Sequence, residues 1–527
     1  MKQRVVEGYF VDVVEGSIFP ARLSIVDGTI SRVDRTSATY DRYILPGLID
    51  AHIHIESSLL CPSRFAEAAV VHGTTAVVSD PHEIANVHGM EGIMYMVHEA
   101  EAVPLRIFYT APSCVPAIHG QDYGGRLGLK EVRDLLRMER FVALGEVMDF
   151  QDVLSQDVDI FAKIEAARLE GKPIDGHAPG LLGAKLDSYI FAGMSTDHEC
   201  TTSDEALEKH RRGMTILVRE GSASKNLSAL MPFAKDHRCC LVSDDLDALD
   251  LKKGHLDLLL RKAVAQGMDP VHAVRAVTKW PAEQYGLPGG YAREGGPADL
   301  TLMKDLQDFR VLETWISGRL VAQKGVCLFE ASPIGLEPSI IPKKISALEL
   351  KSVRKGATTI AVYQQVLADQ IVGGQGEAVL PIKERVVQAE LEKDILLLAV
   401  VNRYIEAPPE MAFVKGFGLK KGAIASSVAH DAHNIIGVGV DHESLALALT
   451  NVISQGGGYT AFNGTESVAL PLPIAGLMSD LPCKEVASMD ERIRAFVREM
   501  GCPLPAPFMT LSFQDPAFRR AVMGNSS

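Results

Sequence analysis

Between residues 46 and 285, short apolar runs alternate with stretches of helical spacing. Runs at 48–54, 74–80, 106–113, 141–147, 173–178, 194–199, 215–221 and 239–245 have the length and bounding residues of strands. Between most of them apolar positions recur with helical period, as in Ser63–His72, Asp157–Glu170, Ser203–Arg212 and Ser224–Lys235. Strands alternating with helices over roughly 240 residues predict an α/β fold of the (β/α)8, TIM-barrel type. An open doubly wound sheet is the alternative, and the places where polar residues fall favour the barrel.

Either side of this region the texture is shorter and more β-like. Val11–Val14 and Arg22–Val26 read as strands, and Asp27-Gly28 between apolar runs predicts a hairpin. The texture returns in Ala298–Leu302 and Thr314–Leu320. Residues 1–45 and 286–340 are therefore expected to form one small split β-sandwich domain that brackets a barrel domain at 46–285. A third, α+β unit is expected over 345–527, with helices at Val386–Lys393, Ser444–Ile453 and Met489–Met500 and a glycine turn at Gly456-Gly457-Gly458. The chain's 527 residues agree with three domains of about 150 residues each.

Composition narrows the function. With 47% hydrophobic and 23% charged residues the chain reads as an ordinary soluble protein. A formal net charge of −14 argues against a nucleic-acid partner, which needs a basic surface. Met1–Glu7 has no apolar core of a signal peptide, and the longest aliphatic stretch, Ile395–Val401, is too short to span a bilayer. No membrane partner is expected. The eight cysteines are scattered without a CxxC pair and read as reduced thiols, so a cytoplasmic protein is expected.

Active sites of TIM barrels lie at the carboxyl ends of the strands, and here those ends are rich in metal-binding residue types. The first strand ends in His52-Ile53-His54, whose two imidazoles share a face and can reach one ion. The fourth ends in Glu146, the fifth in His177, the sixth in His198-Glu199 and the eighth in Asp244-Asp245. Imidazoles and carboxylates together suit zinc, manganese or iron(II). Two ions would need a bridging anion, which Glu146 is placed to be. A hydroxide shared between them would be a strong nucleophile at neutral pH. Asp244 would bind one ion and take the proton of the attacking hydroxide.

These segments resemble the amidohydrolase superfamily. The likeness narrows to the bacterial adenine deaminases in Pro46–Ser58, with its added Glu56-Ser57-Ser58, in Ser79–Val87, and in Leu217–Ser222. It extends into Ser427–Asn434. The resemblance implies that His52, His54 and Asp244 hold a first ion, that His177 and His198 hold a second, and that Glu146 bridges where many relatives carry a carboxylated lysine. It implies hydrolysis of adenine to hypoxanthine and ammonia by attack of the bridging hydroxide on C6. A binuclear manganese centre is expected, with iron or zinc possible, in a homo-oligomer, most simply a dimer. The loop Pro116–Asp122, with His119, departs from the form expected of that family and leaves an N6-substituted purine open as substrate.

Other polar residues near these strand ends carry two readings each. Asp80, His82 and Glu83 could hold substrate or a further ion, or could order a loop. Glu56 could orient a metal-binding histidine or be a helix-terminal charge. Arg219 and Glu220 could touch the base or pair on the rim, and Asp245 could support the site or face solvent. His430, Asp431 and His433 could close the barrel mouth, cap a helix or sit at a dimer contact. Among rival activities, a cyclic-amide hydrolase would more often place lysine where Glu146 stands. The zinc nucleobase deaminases need a PCxxC motif that this chain lacks. A non-enzymatic scaffold would have no use for the whole ligand set.

Overall fold

The computed structural model describes residues 3–117, 124–222, 224–356, 358–366, 374–430 and 432–515. Its centre is a closed parallel barrel. Leu48–Ile53, Thr74–Ser79, Arg106–Ala111, Phe141–Val147 and Ile174–Gly176 pair in that order, and Thr196–Asp197, Thr215–Arg219 and Cys239–Val242 pair in a second run. Two junctions join the runs. Ser195 N–H donates to Ile174 O at 2.9 Å, and Asp244 N–H donates to His52 O at 3.1 Å, so the eighth strand returns to the first. The first, second and eighth strands are buried at every residue, as expected where a parallel sheet is covered on both faces.

The outer helices start where the sequence supplies a side-chain acceptor. Asp157 caps Val158–Leu169 by accepting from the N–H groups of Asp159 and Ile160, and Thr202 caps Ser203–Arg211 through Glu205 N–H. The helix read at Ser224–Lys235 is trimmed to Leu227–Ala234.

The chain's start and the stretch after the barrel share one eight-stranded sheet. Tyr43–Pro46 pairs with both Gln3–Asp12 and Leu300–Met303, which joins the two halves. The Asp27-Gly28 hairpin is present, with φ of 47° and 85° as a type I′ turn requires. The tip folds back on the other half, Ala298 N–H donating to Gly28 O at 2.8 Å, around a core of Leu23, Ile25, Ile44, Leu300 and Leu302.

The C-terminal unit is built on a nine-stranded, mainly antiparallel sheet with Ile395–Val401, buried at all seven residues, near its centre. His442–Ser454 and Cys483–Glu499 are helices, in line with expectation. The helix expected over Val386–Lys393 is not formed. Val386–Val387 pairs back onto Gln375–Lys383 through a turn with Glu384 and Arg385 at φ of 51° and 66°, and only Leu391–Lys393 makes a helical turn. The apolar spacing there serves a β-hairpin because its β-branched pair finds a partner strand. One apolar core runs without a break from the barrel into this unit. No helix among the described residues is long and apolar enough to cross a membrane.

Candidate active site

The strand-end residues converge. His52 and His54 lie on the first strand end with ring centroids 4.9 Å apart, and His198 from the sixth stacks on His52 at 4.2 Å. Asp244 Oδ1 lies 3.4 Å from His52 Nε2 and 3.3 Å from His54 Nε2. Glu146 lies between the two groups. Its Oε1 is 3.4 Å from His54 Nε2, while its Oε2 is 2.6 Å from His177 Nδ1 and 3.2 Å from His198 Nε2. One carboxylate thus turns one oxygen to His54 and the other to His177 and His198.

Neighbouring groups fix these orientations. His54 Nδ1 lies 3.1 Å from the carbonyl of Asp80, which turns Nε2 towards Glu146 and Asp244. Asp80 Oδ2 accepts from Glu146 N–H at 3.0 Å. Residue 145 must be glycine for this, since a Cβ there would lie 2.4 Å from Asp80 Oδ2. Asp244 sits at φ 55°, a left-handed conformation unusual for a non-glycine residue and typical of functional sites.

The electrostatics follow from burial against pairing. Burial alone disfavours the ionised forms of Glu146 and Asp244. Around Glu146 the imidazoles of His198 and His177 outweigh it, and around Asp244 His52, His54 and Arg219 do so, holding both carboxyls well below their usual range. The same pairing overcomes burial at His54, raising it to about 10. Burial pushes Glu56 up to about 7.

Metal ions fit this donor set. His52, His54 and Asp244 offer atoms within 4.8 Å of one another, as do His52, Glu146 and His198, then His54, His82 and Glu146, and His177, His198 and Glu199. His52 Nε2 is buried and makes no hydrogen bond. Asp244 Oδ1, 3.4 Å away, is too far for a good hydrogen bond to it, and a cation between the two would satisfy both.

Two side chains of the site were not among the proposed ligands. Glu199 lies 3.4 Å from His198 Nε2, and Arg219, expected either to touch the base or to pair on the rim, is buried. Arg219 donates to both Glu199 oxygens at 2.5 and 2.8 Å and to Asp244 Oδ2 at 3.0 Å. The available signal was position, since each ends a barrel strand. Glu220 is not brought in; it accepts from Leu227 N–H and pairs with Lys262 at 2.9 Å. Asp245 accepts from Ser57 Oγ at 2.5 Å, and Glu56 Oε1 accepts from Ile84 N–H at 3.2 Å. His82 lies 3.6 Å from Glu146 Oε1 and 3.6 Å from Glu83 Oε1, linking the centre to the mouth.

At the mouth the C-terminal unit enters. His430 Nδ1 and His433 Nε2 each contact one oxygen of Glu83. Ala429 N–H donates to His433 Nδ1 at 3.3 Å, so the His433 proton is on Nε2 and is given to Glu83. Arg403, fully buried, holds this loop by donating to the carbonyls of His433 and Ala475, and Phe513 stacks on His430 at 4.5 Å. His119 and Asp431 lie outside the described residues.

Comparison with known proteins agrees with this geometry. The amidohydrolase family model matches residues 43–321, and the model of the adenine deaminase C-terminal domain matches 370–516. The chain is 44% identical over 515 residues to an adenine deaminase of Methanothermobacter thermautotrophicus, covering 97% of this chain and 94% of the relative. It is 42% identical to one of Salinibacter ruber, covering 96% and 93%. The chain belongs to the adenine deaminase family of the amidohydrolases.

Proposed function

We propose that the chain deaminates adenine by hydrolysis, taking one water and releasing hypoxanthine and ammonia. The observation that carries this is Glu146, with one oxygen turned to His54 and the other to His177 and His198. Kinship with relatives named adenine deaminase over almost the whole chain supports the substrate.

His52, His54 and Asp244 would hold one divalent ion, His177 and His198 the other, and Glu146 would serve both. Bound there, the ions would bring the pKa of water near neutrality and so supply a nucleophile. Manganese is the proposed metal, with iron or zinc as substitutes. Asp244 accepts the proton of the attacking water. Its Oδ1 faces the reacting centre, and Arg219 on Oδ2 fixes the plane of the carboxylate. Asp244 returns that proton to the exocyclic nitrogen, and the C6–N bond breaks to release ammonia. The enzyme would act in purine salvage, in the cytoplasm and as a homodimer.

The test is ammonia release from adenine by manganese-loaded protein, with N6-methyladenine alongside. Release of ammonia from adenine is expected. Release of methylamine from the methylated base alone would overturn adenine as the substrate and keep the chemistry. Silence from both, in protein holding two ions per chain, would overturn deamination.

A further inference from the structure

A second buried cluster lies directly behind the candidate site. Asp197, Cys200 and Glu205 offer donor atoms close enough together to hold a cation. That place is already filled. The ammonium of Lys209, wholly buried, donates to Asp197 Oδ2 at 3.0 Å, to Glu205 Oε1 at 2.7 Å and to the carbonyl of Ala178 at 2.6 Å. A lysine has three N–H donors, and all three are used.

The two carboxylates pass this order on to the backbone. Asp197 Oδ1 accepts from Ala178 N–H at 2.9 Å, and its Oδ2 accepts from Glu199 N–H and from the Cys200 thiol, both at 3.2 Å. Glu205 accepts from Gly180 N–H at 2.9 Å and from Thr201 N–H at 3.2 Å. Ala178 directly follows His177, and Glu199 directly follows His198. The other half of the site rests on a different carboxylate. Asp50 accepts from Ser243 Oγ at 2.5 Å and lies 2.9 Å from His255 Nε2, beneath His52 and Asp244.

We propose that Lys209 is a positioning residue, a built-in cation that sets His177 and His198 together, while Asp50 supports the strand ends that carry His52 and Asp244. This rests on the two-ion reading given above. Without the ammonium, Asp197 and Glu205 would be two buried carboxylates with no counter-charge. They would draw apart or admit water, and the two loops would lose the placement that an ion needs of its ligands.

Full-length Lys209→Met, loaded with Mn2+ and desalted, tests this by metal content and electron paramagnetic resonance. Wild type should hold two ions with an exchange-coupled spectrum. The variant should keep one ion with an uncoupled spectrum and bind the second about 10–100-fold more weakly, as for other groups that orient metal ligands. Asp50→Asn should do the reverse, sparing the ion at His177 and His198. If Lys209→Met is insoluble, Asp197→Asn serves, because its amide must turn a donor towards either Ala178 N–H or Lys209. Two ions held at wild-type affinity in either of the variants Lys209→Met and Asp197→Asn would overturn the proposal, as would loss of both ions together. Wild type holding fewer than two would instead overturn the two-ion reading, and the role of Lys209 with it.

Discussion

The barrel rim and the C-terminal unit both deliver histidines to the same place, by opposite means. On the rim, His52, His54, His177 and His198 end strands that pair within the closed barrel, and they face one another around Glu146. In the C-terminal unit, His430 and His433 sit on a loop held from behind by Arg403, and both face a single carboxylate, Glu83. Rim histidines converge on a shared centre, whereas the loop histidines close on a group that already belongs to the barrel. We infer that the rim holds the reactive ions and that the C-terminal unit orients a side chain beside them.

The contrast can be broken experimentally. Its strongest test is Glu146→Gln, which should abolish ammonia release and lower manganese content at both positions; wild-type turnover in this variant would remove Glu146 from the centre. Next is Asp244→Asn, expected to lower kcat by a factor of ~10² or more at full metal loading, because the proton acceptor is lost. An unchanged kcat would pass that role to another group, Asp245 being the nearest in sequence. The mildest is Glu83→Gln, which replaces one acceptor oxygen by an amide donor between two imidazoles. Losing a hydrogen bond to a charged group is worth ~1.5–3 kcal/mol, so kcat/KM should fall roughly 10–100-fold with metal content intact. If Glu83→Gln sheds manganese as Glu146→Gln does, the distinction between rim and loop collapses.

Much of the rim was legible in the sequence because its signals are local. An apolar run that ends in histidine or a carboxylate says where a side chain lies along a strand, and the barrel then determines what it meets. Glu199 and Arg219 end strands too, yet their bond to each other joins the sixth and seventh strands, and neither residue alone announces it. The pairing of Glu83 with His430 and His433 spans about 350 residues and depends on how two units dock, which no periodicity encodes. The helix expected at Val386–Lys393 failed for a related reason: its apolar spacing suits two structures, and the neighbouring strand Gln375–Lys383 decided between them.

The seam that closes the barrel has a consequence for assembly. Asp244 N–H donates to the carbonyl of His52, and His54 N–H donates to the carbonyl of Asp244, so the bonds that finish the cylinder are made by the residues proposed to grip an ion. During synthesis His52 and His54 emerge long before residue 244, and until the eighth strand arrives they have histidine donors but no Asp244 to complete the set. Closing the cylinder would then also complete the ligand set proposed for the first ion. An ion seated there ties the chain's first barrel strand to its final one, and its loss would be felt as exchange of the His54 and Asp244 amide protons.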